Sequence, residues 1–156
     1  MEELRYVSPD EAVALIESGD HIHLSSVASV PHILVEALVR RAASGEVRDL
    51  HFHHFHTEGP APYSDPAFEG IFFEQGFFVG PNVRANVNSG YADYIPVHLS
   101  DTQRLYRTGG IRLGAALVQV SPPDGHGMVS LGTSVDSSVA AIETARVKIA
   151  VVIRDG

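Results

Sequence analysis

Val120-Ser-Pro-Pro-Asp-Gly-His-Gly-Met-Val-Ser-Leu-Gly-Thr-Ser-Val-Asp136 is the stretch whose reading decides the fold. The apolar run that leads into it, Ala115-Ala-Leu-Val-Gln-Val120, has the length and composition of a buried strand. The run that leaves it, Val135 to Arg146, reads as a helix. Between them stand a double proline, an Asp-Gly turn, further glycines and Met128-Val-Ser-Leu131, which reads as a short strand. Thr133 or Ser134 is placed to cap the helix, with Asp136 three residues after Thr133. A strand, a glycine-bearing loop and a helix N-terminus leave backbone N–H groups at the positive end of a dipole. Such a place suits a phosphate, a carboxylate or a developing oxyanion. The same residues also serve a purely structural turn and cap.

Working outward, the chain alternates short apolar strands with helices. Ser8-Pro-Asp-Glu11 has the capping-box spacing of a helix start, and Ala12, Val13, Leu15 and Ile16 follow as its apolar stripe. His21 to Leu24 reads as a strand, Ser25 to Pro31 as a loop of small residues and His32 to Ala43 as a helix. Asp49 to Phe55 is a further strand, with Leu50, Phe52 and His54 on one face and His51, His53 and Phe55 on the other. A turn-rich loop, Thr57 to Pro66, leaves its C-terminal end. Ile71 to Val79 contains another strand, Val83 to Ser89 a short helix, and Tyr94 to His98 a strand that its proline marks as an edge or a strand end. A helix capped within Ser100 to Gln103 runs to Gly109-Gly110, and Lys148 to Ile153 is the last strand. The pattern predicts an α/β domain with an open, largely parallel sheet and helices on both faces. Ligands of such sheets gather at the carboxyl ends of the strands.

Composition narrows the function. Eleven basic residues against nineteen acidic ones leave a charge of −8, which argues against non-specific binding to nucleic acid or an anionic membrane. Lys148 is the single lysine, so an anionic ligand would rely on arginine or backbone amides. Without cysteine there is no disulfide, thiol nucleophile or thiolate metal site, which fits a cytoplasmic protein. The opening residues carry no apolar signal core, and no apolar run approaches about 20 residues.

Several side chains invite chemistry. His51, His53, His54 and His56 admit a zinc reading through histidines two apart on one strand face; they equally suit hydrogen-bonded strand histidines, with those at the strand end facing a cleft. Gly80-Pro-Asn82 with Arg84 has the groups to hold a carboxylate, although Arg84 also suits a solvated position. Glu58, Glu69 and Glu74 are the carboxylates nearest the expected cleft, and read best as loop and surface charges. His126, between two glycines, is either a donor to a ligand or a solvent-facing turn residue.

Val120 to Asp124 with Gly127, Ser130, Gly132 and Ser134-Val-Asp136 resembles the signature of the acetyl-CoA hydrolase/transferase family, which includes 4-hydroxybutyrate and acetate CoA-transferases. Ser8 to Asp20, Pro31 to Ala43, Ala61 to Pro66, Phe78 to Asn82 with Arg84, and Asn88 to Tyr94 extend the resemblance over essentially the whole chain, in the right order. It implies two similar α/β domains with a cleft between them, in which coenzyme A passes between carboxylates or a thioester is hydrolysed. It also implies a catalytic glutamate in the C-terminal domain, which attacks the acyl-CoA and forms first an anhydride and then a glutamyl-CoA thioester. Neither that motif nor the second domain's glycine-rich oxyanion motif occurs here, and the chain stops at Arg154-Asp-Gly156 directly after a strand. The expectation is therefore an N-terminal domain, residues 1–156, with the catalytic domain outside this chain.

The expected contacts to acyl-CoA and a small carboxylate come from four loops. They are Ser25, Ser26 and Pro31; His56 and Thr57; Gly80 and Asn82; and Pro122, Asp124, Gly127, Ser130, Gly132 and Ser134. The Ser25 to Val30 loop is less glycine-rich than the version common in relatives. No cofactor is expected, since the coenzyme A thioester is the substrate. The expected partner is a second domain or subunit, with homo-oligomers. Two other classes stay open: a stand-alone acyl-CoA or carboxylate binding domain, and a metal-dependent hydrolase built on the histidine strand.

Overall fold

The computed structural model describes residues 5–153. The chain's last residues, on which the expectation of a truncated lobe rests, lie outside them. In chain order the elements are α1 (Pro9–Val13), β1 (His21–Leu24), α2 (His32–Ala43), β2 (Leu50–His53), β3 (Phe72–Gly76), α3 (Arg84–Ser89), β4 (Ala92–Tyr94), α4 (Leu99–Arg107), β5 (Leu113–Val120), α5 (Ser138–Thr144) and β6 (Val147–Val152). Two short 3₁₀ turns, Pro62–Ser64 and Pro66–Phe68, lie between β2 and β3. The sheet order is β4-β3-β2-β1-β5-β6, and every neighbouring pair is parallel. The chain builds outward from β1 to β4, then returns to lay β5 on the other side of β1. That reversal places a topological switch point between β1 and β5.

Both faces are covered, as parallel strands require. Ile22, Leu24, Leu50, Phe52, Phe72, Leu117 and Ile149 pack with Val13 and Ile16 at α1 and with Leu34 and Leu38 of α2. On the opposite face Leu113 and Ala116 meet Tyr106 of α4, Ala140 and Ala141 of α5, and Phe77. The expected α/β sheet with helices on both faces is the one observed.

The boundaries differ where tertiary bonds override local pattern. The capping box at Ser8 and Glu11 forms, but Leu15 stands in solvent rather than on the buried stripe. β4 ends at Tyr94, earlier than expected: Ile95 donates the last bond, to the Gly76 carbonyl at 2.9 Å, and Pro96 has no N–H to continue. α4 starts at Leu99 behind His98, without a side-chain cap. Met128 to Leu131 is not a strand, because no ladder flanks it. α5 begins only at Ser138; neither Thr133 nor Ser134 caps it, and the Asp136 carboxylate accepts from Ser138 N instead.

Candidate functional site

Three of the four loops close over the carboxyl ends of β1, β2 and β3, and the fourth rises beside them from β5. Ser26, fully buried after β1, is the knot. Its carbonyl accepts from Ser134 Oγ at 2.8 Å, and its Oγ accepts from Phe55 N at 3.1 Å. Val27 N donates to the His56 carbonyl at 2.8 Å, and Val27 and Thr57 form an isolated parallel bridge that carries the β1–β2 pairing beyond the strands. Thr57 Oγ1 lies 3.1 Å from the Tyr63 hydroxyl and accepts from Asn82 Nδ2 at 3.0 Å; Asn82 Nδ2 also donates to the Gly59 carbonyl at 3.2 Å. A Cβ on Gly80 would meet Asn82 Oδ1 at 3.0 Å and His56 Cβ at 3.2 Å, so a side chain there would push the two loops apart. Ser25, Ser26, His56, Thr57, Gly80, Asn82 and Ser134 thus form one connected edge at the switch point. Two buried acceptor-capable atoms on it, Ser25 Oγ and Asn82 Oδ1, have no partner among the described residues.

The remaining expected residues stand apart. Pro31 is buried at the start of α2. Pro122, Asp124, Gly127, Ser130 and Gly132 form an exposed arm held by its own bonds. Asp124 Oδ1 accepts from His126 N and Met128 N, Ser121 N donates to the Ser130 carbonyl, and Ser130 N donates to Ser121 Oγ. Gly127 and Gly132 make left-handed turns, with φ of +76° and +65°. Many amides expected to face a ligand are therefore spent inside the arm. His126 and Arg84 are exposed, in keeping with their solvated readings.

The carboxylates separate clearly. Glu58 and Glu69 are exposed, whereas Glu74, expected at the surface, is buried on β3. Its Oε1 lies 2.9 Å from His54 Nε2, out of line for a hydrogen bond, and its Oε2 accepts from Ser64 Oγ at 3.2 Å. The other histidines use their rings on each other. His21 stacks on His51 at 4.4 Å and on His53 at 5.1 Å, and His21 Nδ1 lies 2.8 Å from His53 Nε2. His23 lies 3.1 Å from the Tyr106 hydroxyl and 2.9 Å from Ser138 Oγ. Burial holds His23 and His53 down to about 3, and the neighbouring imidazoles push the same way. Among the described residues no three His, Asp or Glu side chains are arranged to hold a metal ion.

Residues 3–155 match the model of the acetyl-CoA hydrolase/transferase N-terminal domain. The chain belongs to that family. Relatives include a succinyl-CoA:acetate/propanoyl-CoA:succinate CoA transferase of Fasciola hepatica, 38% identical over 87% of this chain and 28% of its own. A 4-hydroxybutyrate coenzyme A transferase of Clostridium kluyveri is 32% identical over 94% of this chain and 34% of its own. Among solved structures, RipA from Yersinia pestis superposes with a TM-score of 0.84 at 29% identity, covering 94% of this chain and 36% of that one. The chain thus spans about a third of the length of the curated relatives it matches. No helix among the described residues is long and apolar enough to cross a membrane.

Within this member of the acetyl-CoA hydrolase/transferase family, three residues at the edge escape sequence reasoning: Tyr63, Phe78 and Val27. Tyr63 is buried and reaches Thr57, and its phenol is pushed up by burial, with Glu74 adding to the shift. Phe78 packs its exposed ring edge-on against His56 at 5.8 Å. Val27 is in the left-handed region, with φ of +56°. A β-branched residue there carries backbone strain of about 1–3 kcal/mol. No side-chain pattern announces that conformation.

Proposed function

We propose that this chain is the N-terminal domain of an acyl-CoA:carboxylate CoA-transferase or acyl-CoA hydrolase, that the edge at the β1/β5 switch point lines the acyl-CoA and carboxylate cleft, and that the nucleophile is a glutamate of a second domain. The observation that carries the reading is the convergence of loops at one switch point by direct bonds, Ser134 to Ser26, Val27 to His56 and Asn82 to Thr57. The relatives' printed activities, CoA transfer between carboxylates, supply the reaction class. The chain's own carboxylates do not suit the attack: Glu74 is buried beside His54 and Ser64, and Glu58 and Glu69 stand in solvent, where nothing holds them toward an acyl carbon. Here Ser25 Oγ and Asn82 Oδ1 are the polar groups still open to a ligand. The same reading makes coenzyme A thioester the substrate without a further cofactor, with a cytoplasmic setting and homo-oligomers of the complete enzyme.

The test is thioester exchange between butyryl-CoA and acetate by the purified chain. The expected result is none above the uncatalysed background. Turnover by the chain alone, whether it persists or is lost when Glu58, Glu69 and Glu74 are each replaced by Gln, would overturn the assignment of the nucleophile to a second domain.

A further inference from the structure

Among the described residues Glu74 is the single carboxylate whose side chain is buried. β3 pairs with β2 so that Glu74 stands beside Phe52, on the sheet face where the rings of Phe52, Tyr63 and Phe72 pack together. No lysine or arginine among the described residues pairs with it. Burying a carboxylate in such surroundings is costly, and an apolar side chain of similar volume often packs there as well or better. The charge therefore calls for a role beyond packing.

Its contacts supply one. Oε1 lies 2.9 Å from Nε2 of the fully buried His54, and Oε2 accepts from Ser64 Oγ at 3.2 Å. His54 opens the connection that leaves β2, and Ser64 closes the first 3₁₀ turn of that connection. One carboxylate thus takes both ends of segment 54–64. Further bonds fix the ends in place: Phe77 N donates to the His54 carbonyl and Asn86 Nδ2 to the Ser64 carbonyl, each at 2.8 Å. Between the ends, Tyr63, next to Ser64, reaches Thr57 Oγ1 at 3.1 Å, and Asn82 Nδ2 donates to the same oxygen. Glu74 is in this way joined through the segment to Thr57 and Asn82 without reaching the edge itself.

We propose that Glu74 is a positioning residue: by holding Ser64 and facing His54 it fixes segment 54–64, and so sets where Thr57 and Asn82 stand at the edge. The inference rests on the cleft reading above and adds a residue that touches no ligand.

The test compares the parent chain with Glu74→Leu, Glu74→Gln and Ser64→Ala by amide hydrogen exchange, thermal melting and titration with butyryl-CoA. In Glu74→Leu the amides of Phe55, Glu58 and Ser64 should exchange about three- to tenfold faster, and butyryl-CoA should bind weaker by a similar factor. The melting temperature should stay within about 4 °C of the parent or rise, because a buried charge has been removed. Glu74→Gln keeps an oxygen that accepts from Ser64 and should return both quantities to within about threefold of the parent. Ser64→Ala leaves Glu74 and His54 in place, should reproduce the faster exchange of the segment, and guards against a folding defect in the leucine variant. A role in stability alone predicts a fall in melting temperature with strand and segment amides accelerating together; that result would overturn the proposal. So would parental exchange rates in both Glu74→Leu and Ser64→Ala, parental butyryl-CoA affinity in Glu74→Leu, or a glutamine variant no better than the leucine one. If the parent itself binds no butyryl-CoA the cleft reading falls, and the exchange rates still decide whether Glu74 fixes the segment.

Discussion

Ser26 makes the sharpest single-residue demand. Its Oγ satisfies Phe55 N and its carbonyl takes Ser134 Oγ, so two loops depend on one small side chain and its backbone. Ser26→Ala leaves the Phe55 N–H without its partner and should cost about 1–3 kcal/mol in urea unfolding. Asn82→Asp removes both donations, to Thr57 Oγ1 and Gly59 O, and sets a carboxylate against two acceptors. Amides 57–59 should then exchange with solvent several-fold faster while the strand amides keep their protection. At this scale the sequence was legible in part. Small and polar residues after strand ends point to Ser25, Ser26, Thr57 and Asn82 as candidate contacts, and the structure places them at the carboxyl ends of the strands. Which atoms remain open to a ligand depends on long-range bonds, such as the 108-residue separation of Ser26 and Ser134. No local spacing encodes those.

Among the elements, α1 and β5 carry the clearest dependence on single positions. The Ser8 hydroxyl accepts from Glu11 N while Glu11 returns a bond to Ser8 N at 2.9 Å. Ser8→Ala should cost about 0.5–2 kcal/mol and loosen the packing of α1 on α2. Gly114 of β5 lies under the Asp20 carboxylate, which also accepts from Glu17 N and pairs with Arg146, each at 2.8 Å. Gly114→Ala drives a methyl into that carboxylate and should destabilise by about 1–3 kcal/mol; the loss should shrink in an Arg146→Ala background, where the Arg146 pair is already gone. Elements with strong internal signals, β1 and α2, coincide with the sequence reading to the residue. Met128 to Leu131 reads as a short strand but makes only isolated backbone bonds, to Ser121 and Asp124, and the start of α5 is set by Asp136 rather than by the Thr133 and Ser134 hydroxyls.

For the whole molecule, the buried imidazoles make stability depend on pH. His23 and His53 are held down to about 3, against 6.5 in the unfolded chain, and His21 is lowered by burial and by His51. The folded state therefore binds fewer protons than the unfolded state between pH 6.5 and 3, and stability falls as pH falls through that window. Each of the two deeply buried rings steepens the fall toward about 1.4 kcal/mol per pH unit. Urea midpoints should be level from pH 8 to 7 and drop progressively from pH 6 to 4; His53→Gln should flatten the slope by about one proton. The fold class itself was readable from strand–helix alternation and from apolar runs buried on both faces. The histidine stack was not, because the register that pairs His21 with His51 is a property of the assembled sheet.

The most direct measurement of the central claim is a ¹H–¹⁵N spectrum of this chain titrated with butyryl-CoA in the presence of acetate, with the thioester assayed in the same tube. The expected result is shifts concentrated at residues 25–31, 55–59, 78–82 and 133–135, with the thioester intact at the end. Shifts at the opposite edge, around Asp20 and Arg146, or consumption of the thioester by the chain alone, would contradict the role assigned to this domain.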